Sequence, residues 1–280
     1  MQKNRNLSRK YKGTKINKGR LIVAALVTIS SIVAMIAIVN IFFIQIDTVG
    51  ATREYETLRQ FAPAIEGIVQ EMAASGSVSI PTDVTADNNS FNNELSNEAL
   101  ETALVDLKPV CTLSEINPDY VGWITIDNTS IDYPVVQGID NHKYLNTTFT
   151  GERYRAGTIF MDYRIKNGFD STLVLLHGHN MRDGTMFAGL NHGLVNEYIT
   201  IVTQGRELLT YRIISVKVTD DNDPAYELIG RDKQAILDYM ARINAPSGVD
   251  RFLVLSTCTG RTDEIGRLLV FATLVENALG

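Results

Sequence analysis

Residues 251–260 read Arg-Phe-Leu-Val-Leu-Ser-Thr-Cys-Thr-Gly, and residues 267–275 read Arg-Leu-Leu-Val-Phe-Ala-Thr-Leu-Val. Within them Arg251–Ser256 and Leu268–Val275 are short apolar runs rich in β-branched and aliphatic side chains. Polar residues and glycine separate them, which is the pattern of two strands joined by a turn. Six similar runs precede them: Gly122–Asp127, Ile131–Gln137, Gly157–Met161, Ser171–Leu176, Glu197–Thr203 and Glu207–Val218. Polar clusters such as Asp127-Asn128 punctuate them as turns. Eight short strands in one domain predict a mainly β fold, an antiparallel barrel or sandwich. One stretch breaks the pattern. Arg231 to Ile243 carries Ile236, Leu237, Met240 and Ile243 at helical spacing and stops before Asn244-Ala245-Pro246. The domain is expected to span 98–280, opened by a short helix from Glu98 to Leu107.

Upstream the composition changes. Residues 21–44 form a 24-residue run without a charged side chain. As a helix it is about 36 Å long, enough to cross a hydrocarbon core of about 30 Å. Residues 1–20 hold eight basic side chains and no acid. They predict a cytoplasmic tail and an outward-facing remainder. The apolar run is also longer than the 7–15 residues usual in a cleaved signal peptide, so it reads as a retained anchor. Within 45–97, Tyr55, Leu58, Phe61, Ile65, Ile68 and Met72 make a helical stripe over 51–74, interrupted near Pro63. The Ser/Asn/Thr/Asp-rich stretch 75–97 reads as a flexible spacer.

The chain of 280 residues has a formal net charge of -6, but the part after residue 44 carries 18 basic and 32 acidic residues. An acidic body repels phosphates, which excludes nucleic-acid binding as its function. Two cysteines, Cys111 and Cys258, are too few for a disulfide-built scaffold.

Cys258 is the residue that suggests chemistry. It ends the strand Phe-Leu-Val-Leu-Ser and lies among hydroxyl residues, where a rigid strand fixes the backbone and a loop-lined groove receives the side chain. An isolated thiol is almost wholly protonated at neutral pH, so a nucleophilic cysteine needs a basic or cationic neighbour. His179, just past Ser171–Leu176, and Arg267, opening the last strand, are the candidates. A hairpin would bring Arg267 to the same end as Cys258. Its guanidinium cannot act as a base but can hold a developing oxyanion. The competing readings are a Cys111–Cys258 pair or two buried small hydrophobes. His177 and His179 form a His-x-His pair that a strand would point to one face, but no third ligand accompanies them, so no metal site is expected. His142 and His192 sit in polar loops.

Several ordered segments resemble the sortases, cysteine transpeptidases that attach proteins to the Gram-positive cell wall. They are Asn117-Pro118-Asp119-Tyr120-Val121-Gly122-Trp123-Ile124, Ile131-Asp132-Tyr133-Pro134-Val135-Val136-Gln137, Gly178-His179-Asn180-Met181, Leu255-Ser256-Thr257-Cys258-Thr259 and Arg267. The resemblance covers Ile116 to Val275. The helical insertion at 231–243 and the Asn117–Trp123 run are similar to class B members. The resemblance implies an eight-stranded sortase-type β-barrel with peripheral helices, preceded by a transmembrane helix. It implies Cys258 as nucleophile, His179 as general acid–base, Arg267 as oxyanion stabiliser, and Ser256 and Thr257 lining the substrate groove. No cofactor or metal is implied. The implied partners are sorting-signal peptides of secreted proteins and a peptidoglycan precursor amine. His177 stands where Tyr or another residue is expected in class B relatives. A pilus-polymerising sortase with a protein lysine acceptor, a thiol hydrolase and a non-catalytic wall-binding barrel remain alternatives.

Overall fold

A computed structural model describes residues 18–61, 108–191, 193–259 and 266–275. The spacer at 75–97, the helix expected over 98–107 and the first 17 residues of the basic tail lie outside them. The first helix, α1, spans Lys18–Leu58. The sequence reading gave an apolar span over 21–44 and a helical stripe over 51–74; one helix carries the span and the start of the stripe, and 62–74 lie outside the described residues. Residues 45–50 contain no proline, and the single Gly50 costs a helix only about 1 kcal/mol. A β-carbon at Gly50 would lie 2.4 Å from the Tyr154 ring, so close packing accounts for the glycine.

The apolar side chains of α1 from Ile22 to Val49 are largely exposed. The compact unit that holds the strands begins at Asp47. Within that unit the last turns of α1 are packed: Ala51, Tyr55 and Leu58 are buried. Tyr55 meets Tyr133 edge-on at 5.2 Å, and its hydroxyl donates to the Gly157 carbonyl. The same hydroxyl lies 3.2 Å from Thr158 Oγ1. The Arg59 guanidinium sits 5.0 Å over the Tyr133 ring, a cation–π contact.

Helix α2, Lys108–Ile116, was not anticipated. Its cue is Pro109, since proline suits the first helical turn. The Asn117–Asp119 run that follows is a clamp. Asn117 Nδ2 donates to Phe149 O at 2.8 Å, and its Oδ1 accepts the Asp119 N–H at 2.9 Å.

The strands are β1 Tyr120–Ile126, β2 Asp132–Val136, β3 Ile159–Met161, β4 Leu173–His177, β5 Tyr198–Thr203, β6 Leu208–Thr219, β7 Phe252–Cys258 and β8 Arg267–Leu274. They close into a barrel in the order β1-β2-β3-β4-β7-β8-β6-β5. The expected barrel is therefore present, though not purely antiparallel: β2–β3 and β4–β7 pair in parallel. The β4–β7 pair explains two unbroken apolar runs, because parallel neighbours buried on both faces need no polar alternation. Leu173, Val174, Leu175 and Leu176 face Phe252, Leu253, Val254 and Leu255 in register, and all eight are buried.

The inserted helix, α3 Lys233–Arg242, joins β6 to β7. Asp232 caps it by accepting the Ala235 N–H at 2.9 Å, and Ile236 and Met240 are its buried side. Asn244, at φ 64, turns the chain away after it.

Candidate active site

The antiparallel β7–β8 register sets Cys258 directly opposite Arg267. Arg267 Nη1 reaches Cys258 Sγ at 3.1 Å. The thiol is free and exposed. The parallel β4–β7 register continues from the His177–Ser256 pair: Gly178 N donates to Ser256 O at 3.1 Å. A β-carbon on Gly178 would lie 2.6 Å from the Phe187 ring, so only glycine lets the chain pass here. Asn180 Nδ2 then donates to Cys258 O at 2.8 Å, tying the end of β4 to the backbone of the thiol. His179 lies between these anchors. Its Nε2 sits 2.7 Å from Leu145 O, and since a carbonyl only accepts, Nε2 carries the hydrogen.

Cys258, Arg267, His177, Gly178 and His179 line an open cleft of about 150 Å³ together with Asn141, Leu145, Thr158, Phe160, Ser256 and Thr257. The structure thus brings Cys258, His179, Arg267, Ser256 and Thr257 to one place. Ser256 and Thr257 are only 4% and 3% exposed, so they form its floor. The Ser256 hydroxyl pairs with Tyr226 OH at 2.7 Å, whereas Thr257 Oγ1 has no partner among the described residues.

The His-x-His pair does not act as a unit. β4 ends at His177, and the two rings take different partners. His177 Nε2 lies 3.3 Å from Asp162 Oδ2. Asp162, whose side chain is 1% exposed, also accepts Arg164 Nε and Nη2 at 2.8 Å each and Asn141 Nδ2 at 2.9 Å. Burial by itself raises the Asp162 carboxyl, but the hydrogen bonds from Arg164 and His177 outweigh it and hold it well below the usual carboxylate range. His177 stacks on Phe160 at 5.1 Å and lies parallel to Tyr226 at 6.5 Å.

Tyr226 comes from the β6–α3 connection, which Asp223 organises. Its buried carboxylate accepts Lys217 Nζ at 2.6 Å, Thr219 Oγ1 at 2.7 Å and Tyr239 OH at 3.0 Å. Sequence reasoning missed Asp162, Arg164, Asn141 and Tyr226, which belong to no motif. The one available signal was His177 itself, a titratable side chain at the end of a buried strand.

Against known proteins, the Sortase domain family matches residues 124–275. The chain belongs to the sortase family. Sortase B of Listeria monocytogenes is 34% identical over 178 residues, 58% of this sortase and 72% of the relative. The X-ray structure of Clostridium perfringens sortase B superposes with a TM-score of 0.52 at 32% identity, covering 59% of this chain and 99% of that one. A Streptococcus pyogenes class B sortase involved in pilus biogenesis gives 0.51 at 28% identity, covering 59% and 97%. The enzyme is a sortase-type cysteine transpeptidase, similar to class B members.

Proposed function

We propose that Cys258, His179 and Arg267 carry out a two-step acyl transfer at the outer surface of a membrane. The observation that supports it most is the 3.1 Å approach of Arg267 Nη1 to Cys258 Sγ from directly paired strand positions. A guanidinium there puts positive charge where negative charge gathers, on the sulfur and then on the oxyanion.

In the first step the Cys258 thiolate attacks the Thr carbonyl carbon of a sorting-type peptide, forming a C–S bond. The C–N bond breaks as His179 gives a proton to the leaving amine, leaving a thioester. In the second step an amine attacks the thioester and passes its proton to His179, and the thiolate departs. The thioester keeps the acyl group reactive, so neither step draws on a nucleotide. The Leu145 carbonyl orients the His179 ring through Nε2, which leaves Nδ1 as the nitrogen that takes up and gives the transferred proton.

The apolar, exposed α1 supports a single-pass anchor with the basic tail in the cytoplasm and the barrel outside. Such an anchor keeps the enzyme beside newly secreted clients and a membrane-bound peptidoglycan precursor amine. The pilus-associated S. pyogenes relative supports a second reading, in which the acceptor is a lysine on another protein.

The test is to incubate the full chain in detergent with a panel of sorting-type peptides and weigh the intact protein. An acyl adduct that is absent in Cys258→Ala and is discharged by an added amine is the expected result. A folded protein with a free thiol and no adduct from any peptide would refute the proposal. Oligoglycine or diamino-acid amines against a lysine-bearing protein then separate the two acceptor classes.

A further inference from the structure

The Leu145 carbonyl that meets His179 is held from a distant part of the chain. Leu145 ends a short turn, and that turn is stitched to residues 157–158. Thr158 N donates to Tyr144 O at 3.0 Å, and Thr158 Oγ1 donates to Thr147 O at 2.9 Å. Gly157, at φ 57, backs directly onto the turn: a β-carbon there would lie 2.7 Å from Leu145 O. The Gly157 carbonyl in turn accepts the hydroxyl of Tyr55 on α1, which also lies 3.2 Å from Thr158 Oγ1. Tyr55 and Thr158 are both buried, so water does not compete for these bonds. A second route joins α1 to the backbone of the histidine. Tyr55 packs edge-on against Tyr133, and Tyr133 OH accepts the Met186 N–H at 3.2 Å. The next amide, Phe187 N, donates to His179 O at 2.8 Å.

Tyr55 is not among the residues that line the cleft. We infer that it is a positioning residue for His179: its hydroxyl, through Gly157, fixes the Leu145 carbonyl and with it the orientation of the imidazole ring. The inference rests on the reading above, in which His179 gives the leaving amine its proton. A general acid works only within hydrogen-bond reach of the group it protonates, so a ring free to turn delivers less. With Nε2 committed to Leu145 O, the placing of that carbonyl sets where Nδ1 stands. The last turns of α1 are therefore part of the catalytic apparatus.

The experiment measures single-turnover acylation of Cys258 by intact mass, using the full chain in detergent. Two substrates share one acyl peptide. One is the amide, whose leaving amine needs a proton; the other is an aryl ester, whose phenolate departs without one. Tyr55→Phe keeps the ring against Tyr133 and removes only the hydroxyl. It should slow maximal acylation by the amide roughly threefold to tenfold, the range one hydrogen bond spans, at an unchanged half-saturating concentration. The aryl-ester rate should change by less than about twofold, since that step does not call on the acid. In a His179→Ala background the same substitution should alter the amide rate by less than about twofold, as befits a residue that acts through the histidine. Equal slowing of both substrates, an amide rate equal to wild type, or a full effect without His179 would overturn the inference and leave the transpeptidase reading intact. Should Tyr55→Phe not fold, Thr158→Val, which removes the Oγ1 bond to Thr147 O at nearly constant shape, should give the same amide-selective loss. Failure of every amide peptide to acylate the wild type removes both readings.

Discussion

The rim and the wall of the cleft are built on opposite terms, and His177 and His179, one glycine apart, fall on either side of the divide. At the rim, Cys258 is exposed, Arg267 touches its sulfur, and His179 leans on a single carbonyl. On the wall, His177 is held by an ionised carboxylate that is itself gripped by Arg164 and Asn141. Groups to which the proposed mechanism assigns proton and partner exchange are tied loosely. The groups that shape the groove are tied by charge, in a buried site where charge-assisted bonds are strong. Rate and stability should therefore separate along this line.

The largest effect should come from His179→Ala. Loss of a positioned acid–base group costs 10²–10⁴-fold in rate, and this rim residue should leave the melting temperature close to wild type. Calorimetry beside steady-state acyl transfer checks both halves. A large loss of thermal stability would break the contrast. Arg267→Ala should lower kcat by about 10²–10³-fold, the cost of one oxyanion donor. Arg267→Lys should recover little of it, because an ammonium does not reproduce the planar fork.

Asp162→Asn should act chiefly on the fold, destabilising it by about 2–3 kcal/mol at neutral pH, the scale of hydrogen bonds to a charged group. The folded carboxyl ionises well below the unfolded value of about 4, so its contribution is complete at neutral pH. The contribution fades as pH falls below about 4 and is lost once pH passes the folded value, where wild type and variant should converge. Urea melts between neutral and strongly acid pH would show this. A stability gap that widens on acidification contradicts the assignment. The smallest effect should be Tyr55→Phe, about 1 kcal/mol for the lost hydroxyl bond to Gly157 with ring packing kept. A change in chemical melting midpoint of that size measures it.

Much of the barrel was legible because each strand is a short apolar run, and all eight lie within a few residues of their expected places. The pairing order was not. Register depends on contacts between segments far apart in sequence, and nothing local announces that β4 and β7 run parallel. The continuity of α1 escaped because the chain changes pattern, from an apolar run ending at 44 to a spaced stripe from 51, while one helix carries both. The rim was readable since Cys258, His179 and Arg267 each sit at a strand end within a recognisable pattern. The wall was not, because Asp162 and His177 are brought together only by folding, across the β3–β4 pairing. Tyr226 arrives from an insertion whose helix was foreseen but whose preceding loop carried no signature.

The opposition of Cys258 and Arg267 across β7 and β8 has an evolutionary consequence. The thiol and its cation are neighbours by ladder position, not by the path of the chain that joins them. Descendants can lengthen, shorten or rewrite the segment between the two strands without moving the reactive pair. The proposed chemistry then stays where the ladder put it.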